Sequence, residues 1–200
     1  MADNQMNSIG NNVISLEQLL RDIAPDGLDG KLPPVDAWSP EGCADIDMRI
    51  REDGSWWHEG KKIQREKLVK LFSRILRRDE DGQTYLVTPY EKVIVHVEDA
   101  PFLAVRVDRV GEPGPEQMLA FTTNLGDLTV AGPKAPLRIE IDTDTQEPAP
   151  YINVRGRLEA KLTRAAFYEL VDMAEPSADD PNRLVVWSQG QVFELGFAGE

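Results

Sequence analysis

From residue 44 onward the chain is cut into short apolar runs separated by turn signals, and that spacing constrains the fold most. Ile46, Met48 and Ile50 alternate with Asp45, Asp47 and Arg49, the pattern of a half-buried strand. Asp53-Gly54 is a hairpin turn signal, with Trp56-Trp57 just beyond it. After Asp81-Gly82 come two strand-like runs, at 85–88 and 92–97. Further strands are expected near 102–109, 117–123, 127–131, 136–142, 151–155, 183–187 and 191–196. This hairpin spacing predicts antiparallel pairing.

Helical periodicity is rarer. Leu68, Leu71, Phe72, Ile75 and Leu76 share a face over 65–77, and a second helix is expected over 163–174. A short helix is expected from Ser15, where Gln18 completes a capping box and Leu16, Leu19, Leu20 and Ile23 fall at helical spacing. Residues 25–44 are broken by Pro25, Gly27, Gly30, Pro33, Pro34, Pro40 and Gly42 and read as an irregular wrap. Strands outnumber helices, so the fold class is α+β.

Shifting the chain by 99 residues lays 63–72 over 162–171 with the apolar positions in register, and Arg65 falls on Arg164. With no gap, Leu86-Val87 falls on Val185-Val186 and Val93-Ile94 on Val192-Phe193. The expectation is a hairpin–helix–hairpin unit used twice. Two amphipathic helices that merely align would give the same first match.

The chain has 200 residues, 35 acids against 22 bases and a net charge of −13. Such a charge argues against general nucleic-acid binding, which rests on neutralising phosphates. No apolar run reaches the length of a membrane span. The N-terminal dozen lacks the basic and apolar regions of a secretory leader, and one cysteine, Cys43, allows no internal disulfide. A cytoplasmic protein is expected. Residues 60–78 depart from this acidity: they carry +7, leaving −20 elsewhere. Lys67, Lys70, Arg74, Arg77 and Arg78 fall on one stripe of the expected helix, opposite its apolar face. The corresponding face of the second helix carries Glu169, Asp172 and Glu175. The stripe is either a solvated face or a surface for an anionic ligand or acidic partner, including a second copy of the chain.

The catalytic inventory is thin. His58 and His96 are the two histidines, and His96 is expected on the exposed side of its strand. No zinc spacing, phosphate loop or dinucleotide fingerprint is present. Asp79-Glu80-Asp81-Gly82 and Asp142-Thr143-Asp144 read as turns rather than calcium loops. No metal site, cofactor or catalytic residue is assigned. Thr88, Glu91, Thr123, Asn124 and Tyr151 sit at strand ends, as turn formers or as the lining of a polar cleft. Arg65 and Arg164 sit at helix starts, where N–H groups favour anions. Each is a carboxylate partner or a ligand contact.

The run Ile63-Gln64-Arg65 … Leu68-Val69-Lys70-Leu71-Phe72, then Tyr85-Leu86-Val87-Thr88-Pro89 … Glu91-Lys92-Val93 and Glu98-Asp99-Ala100-Pro101-Phe102, resembles the bacterial domain of unknown function 1285 family. Thr123-Asn124 … Asp127 and Pro150-Tyr151 … Val154-Arg155 … Leu158-Glu159-Ala160 … Arg164 continue the resemblance across about 43–173. It implies an α+β fold with a duplicated core and a C-terminal half like a pleckstrin-homology barrel. It also implies a non-enzymatic protein that binds a ligand, a nucleotide-based one being the candidate, between its halves and serves in bacterial signal transduction.

The organisation expected is therefore a lead-in over 1–43, a first repeat domain over 44–98 and a second domain over 99–200, with the boundary nearer 84 as the alternative. In the ligand-binding reading, Arg155 with Arg65 or Arg164 meets an anionic group. Thr123 and Asn124 supply hydrogen bonds, with Thr88 and Glu91 beside them, and Tyr151 or Trp57 stacks on a base. The alternative is a protein-interaction adaptor, binding no small molecule, that uses the basic helix face 67–78 or an exposed Trp56-Trp57 hairpin. A hydrolase working through acidic pairs is a third reading.

Overall fold

The computed structural model describes residues 31–141 and 147–197. The helix expected from Ser15 and the Asp142-Thr143-Asp144 turn lie outside these residues. The described chain is mostly β, with two α-helices and one 3-10 turn at Val35–Ala37.

The first sheet has six strands: β1 (Gly42–Ile50), β2 (Trp56–His58), β3 (Lys61–Lys62), β4 (Leu76–Arg78), β5 (Thr84–Val87) and β6 (Glu91–Val97). Helix α1 (Glu66–Arg74) connects β3 to β4. The strand order is β3-β2-β1-β6-β5-β4. Two antiparallel meanders are thus joined by one parallel seam, in which Met48, Arg49 and Ile50 face Val95, His96 and Val97.

The second sheet follows the same plan. Its strands are β7 (Phe102–Val110), β8 (Met118–Thr123), β9 (Leu128–Val130), β10 (Leu137–Ile141), β11 (Pro148–Arg155) and β12 (Leu158–Leu162). Their order is β10-β11-β12-β7-β8-β9, with β12 parallel to β7. This sheet curls into a half-barrel. Helix α2 (Arg164–Val171) follows, its N-terminus capped by Thr163 Oγ1, which accepts from the Ala166 N–H. A separate antiparallel meander, β13 (Glu175–Pro176), β14 (Arg183–Ser188) and β15 (Gln191–Phe197), ends the described chain, with β15 packed beside β10.

One continuous apolar core runs through both halves. Met48, Ile50, Trp56, Phe72, Leu76, Leu86 and Val93 fill the first half, and Phe102, Leu119, Phe121, Ile152, Leu162 and Leu170 the second. Trp56 stacks on Phe72 with ring centroids 6.2 Å apart, which fastens α1 to the first sheet. Large buried aromatics contribute most per residue to such a core.

Several expectations change. The first helix stops at Arg74, because Ile75 leaves helical geometry at φ −105° and ψ 11° and the chain turns into β4. Arg77 and Arg78 are therefore strand residues, and the basic stripe over 67–78 is not one helix face. Trp56 is 1% exposed, so the tryptophan pair is no exposed hairpin; only Trp57 is half-buried at the surface. Successive strand residues point to opposite faces, which separates the two rings. The pairing is not wholly antiparallel, because a seam between distant strands leaves no hairpin signal. His96 is exposed as expected, with Nε2 2.9 Å from Asp45 Oδ2.

Under the 99-residue shift, α1, β4, β5 and β6 overlie α2, β13, β14 and β15 in order. The shared stretch is a helix followed by a three-stranded meander. The hairpin expected before the helix is in both cases a full three-stranded meander.

Candidate functional site

A cleft of about 820 Å³ lies between the halves. One wall is β4 with the turn that follows it, bearing Arg77, Arg78, Asp79 and Glu80. The opposite wall is the β11–β12 turn, bearing Arg155 and Arg157. The 35–39 segment, with Trp38, forms the third side.

Arg77 ties that third side down. Its Nη1 donates to the Val35 and Trp38 carbonyls at 2.6 and 2.7 Å, and its Nε to Asp79 Oδ1 at 2.6 Å. Lys92 Nζ reaches the other oxygen of Asp79 at 3.1 Å. Burial alone would raise the Asp79 carboxyl, but the hydrogen bonds from Arg77 and Lys92 outweigh it and hold it below its ordinary value.

Arg155 is a clasp between the halves. It donates to Asp127 Oδ1 at 2.6 Å and to the Ser73 carbonyl near the end of α1, and its guanidinium lies 5.0 Å from the Phe102 ring centroid. Burial lowers its pKa, while the charge of Asp127 opposes that shift. A helix C-terminal carbonyl is a favourable acceptor for a cation.

Arg78 and Arg157 are more open. Arg78 Nε donates to the Gly82 carbonyl at 3.1 Å. Arg157 pairs with Glu80 at 3.0 Å, with side-chain exposures of 57% and 89%. The arginines face Asp36, Asp79, Glu80 and Asp81 around the cleft.

The remaining expected site residues are dispersed. Thr88 is buried and closes the β5–β6 turn: its hydroxyl donates to the Glu91 carbonyl and accepts from the Tyr90 and Glu91 N–H groups. Glu91 is buried at the start of β6. Thr123 does the same work after β8, accepting from the Leu125 and Asp127 N–H groups. Asn124 Oδ1 accepts from the Leu103 N–H at 3.1 Å, beside the Asp53-Gly54 turn. Tyr151 is buried and donates to Asp99 Oδ1 at 2.9 Å, while Lys161 holds the other Asp99 oxygen. Arg138 lies over the Tyr151 ring at 4.3 Å. Trp57 Nε1 donates to Ser55 Oγ, and Arg51 lies over its ring at 3.8 Å. Arg65 is exposed at the start of α1, and Arg164 is exposed and pairs with Glu147 at 2.9 Å. Of the nine residues, only Arg155 lines the large cleft. Of its other arginines, Arg77 and Arg78 were read from the sequence as part of a basic helix stripe and not as cleft residues, while Arg157 and Trp38 were not selected. The +7 segment was a signal for the first pair.

Among the described residues no helix is long and apolar enough to cross a membrane, and no three His, Cys, Asp or Glu side chains converge as a metal site.

The family model "Domain of unknown function (DUF1285), N-terminal domain" matches residues 33–100, and "Protein of unknown function (DUF1285), C-terminal domain" matches 101–195. The chain belongs to the DUF1285 family. A DUF1285 protein of known structure from Silicibacter pomeroyi DSS-3 is 44% identical, with 90% of this chain and 95% of that chain covered and a TM-score of 0.80. Another from Shewanella baltica OS155 is 32% identical over 63% of this chain and 91% of that chain, with a TM-score of 0.49. No curated protein matches this chain. The large cleft thus lies where the N-terminal and C-terminal DUF1285 domains meet.

Proposed function

We propose that this DUF1285 protein is a non-enzymatic, cytoplasmic ligand-binding protein of signal transduction, and that its ligand carries an anionic, nucleotide-like group into the interdomain cleft. The observation that carries this reading is that each domain contributes one open arginine to the same cleft, Arg78 from the first and Arg157 from the second. Guanidinium groups suit planar, bidentate recognition of phosphate. Trp38, half-buried in the third wall, offers a ring for a base. Arg155 serves as the clasp beneath them, because its donors already meet Asp127 and Ser73. An anion that draws Arg78 and Arg157 together would alter the contact between the domains, and that change is the output.

The duplicated helix-and-meander unit belongs to the same reading. A curled second sheet followed by a helix and a further meander is compatible with a pleckstrin-homology-like C-terminal half.

A thermal-shift panel of nucleotides, cyclic nucleotides and dinucleotides tests the proposal. Ligand at a hundred times its dissociation constant stabilises by about 2.7 kcal/mol, a rise of several degrees for a chain this size. The expected result is a rise for one class that Arg157→Ala abolishes and Arg164→Ala preserves. A rise that survives both Arg78→Ala and Arg157→Ala places the ligand elsewhere. A flat panel counts against a nucleotide ligand.

A further inference from the structure

A second interdomain cleft, about 410 Å³, lies where the β1–β2 hairpin and the start of α1 meet the β8–β9 turn. It shares no lining residue with the larger cleft. Three independent features converge on it. The first is the N-terminus of α1, a nine-residue helix on which the Arg65 side chain makes no capping hydrogen bond. Its first N–H groups have no partner within the helix and carry the positive end of the helix dipole. The second is a pair of lysines, Lys62 and Lys70; neither ammonium makes a hydrogen bond or an ion pair with a described residue, and the Lys62 charge acts on Asp53 only at longer range. The third is Trp56, part of the lining and 1% exposed, whose indole N–H is buried and has no acceptor among the described residues.

An orphaned buried N–H costs about 1–3 kcal/mol, so a native structure that retains one invites an acceptor. Asn124 adds a further donor: its Oδ1 is occupied by the Leu103 N–H, and its Nδ2 packs against Gly54 in the cleft wall. The acids here are Asp53 and Glu66. Asp53 is already engaged, because hydrogen bonds from Ser55 hold its carboxyl below the ordinary value. Ile63, Val69 and Leu125 give the cleft an apolar side.

We propose that this cleft is an oxyanion site, taking a carboxylate- or phosphate-bearing small molecule at the α1 N-terminus with Trp56, Lys62, Lys70 and Asn124 as the recognising groups. It stands apart from the nucleotide reading of the larger cleft and neither requires nor supports it.

The test is a titration of isotope-labelled protein with inorganic phosphate in one arm and acetate in the other, at ionic strength held constant with chloride. The signals followed are the Trp56 indole N–H and the Glu66, Lys67 and Asn124 amides. Saturable shifts in these signals, with the Trp57 and Trp187 indole signals still, are expected in at least one arm, and the responding arm identifies the head group. Trp56→Phe keeps the ring and removes the N–H; it should weaken binding about tenfold or more. Lys70→Gln should weaken it roughly threefold, and Arg157→Ala should leave it unchanged. Absence of saturation in both arms overturns the site. So do shifts that persist at equal strength in both Trp56→Phe and Lys70→Gln.

Discussion

The strands β4 and β13 occupy the same place in the two helix-and-meander units, 99 residues apart, yet they meet different surroundings. In β4, Leu76 is fully buried and Arg77 is locked to Asp79 and to the 35–39 segment. In β13, Glu175 and Pro176 are both exposed, and Glu175 accepts a hydrogen bond from the Trp187 indole. The first meander is completed by a parallel seam into a six-stranded sheet, and its β4 edge faces the other domain. The second remains a sheet of three strands. The same order of elements therefore yields a cleft wall in one place and a surface edge in the other. Assembly, not the local pattern, makes the cleft.

Substitutions at matched positions test that contrast. Leu76→Ala should cost about 2–5 kcal/mol in denaturant unfolding, the range for a fully buried leucine. Its counterpart Glu175→Ala should change stability by no more than about 0.5 kcal/mol. Equal effects would erase the distinction.

Arg155→Ala should follow, at about 1–3 kcal/mol, because it strips Asp127 and the Ser73 carbonyl of a half-buried donor. Arg164→Ala, which breaks a pair exposed at 69% and 63%, should cost about 0–1 kcal/mol.

Acid provides a smaller effect, and on the β4 side it acts through Asp79. The Asp79 carboxyl lies below its ordinary value in the folded protein. Its contribution is therefore present above the unfolded value of about 4 and is lost as pH falls through the lower folded value. Acid unfolding curves of Asp79→Asn should lack this step, and the neutral-pH stability of the variant should be reduced. A variant with an unchanged acid limb would contradict the role given to the Arg77–Asp79–Lys92 cluster.

The strands were legible because alternation and turn dipeptides are local properties. The Asp53-Gly54 hairpin forms as read, with Gly54 at φ 75° and its N–H on the Arg51 carbonyl. The end of α1 was not legible, because Ile75 and Leu76 continue the helical apolar spacing and are buried although the chain has left the helix. The burial of Trp56 could have been read from strand alternation, since adjacent residues cannot both face the core. Arg155 stood out as a charge, but its partners lie 28 and 82 residues away, beyond any local pattern. The threonines illustrate the converse. Thr88 and Thr123 were rightly noticed at strand ends, and their hydroxyls serve the turns.

If an anionic ligand enters between the DUF1285 domains, its binding depends on the open arginines of the cleft. Calorimetric titration of the best nucleotide from the panel into wild type and into Arg78→Ala/Arg157→Ala tests it most directly. Saturable 1:1 binding to wild type is expected, with a loss of about a hundredfold or more in the double variant, at two charge-assisted hydrogen bonds of about 1.5–3 kcal/mol each. Undiminished affinity in a folded double variant would contradict it.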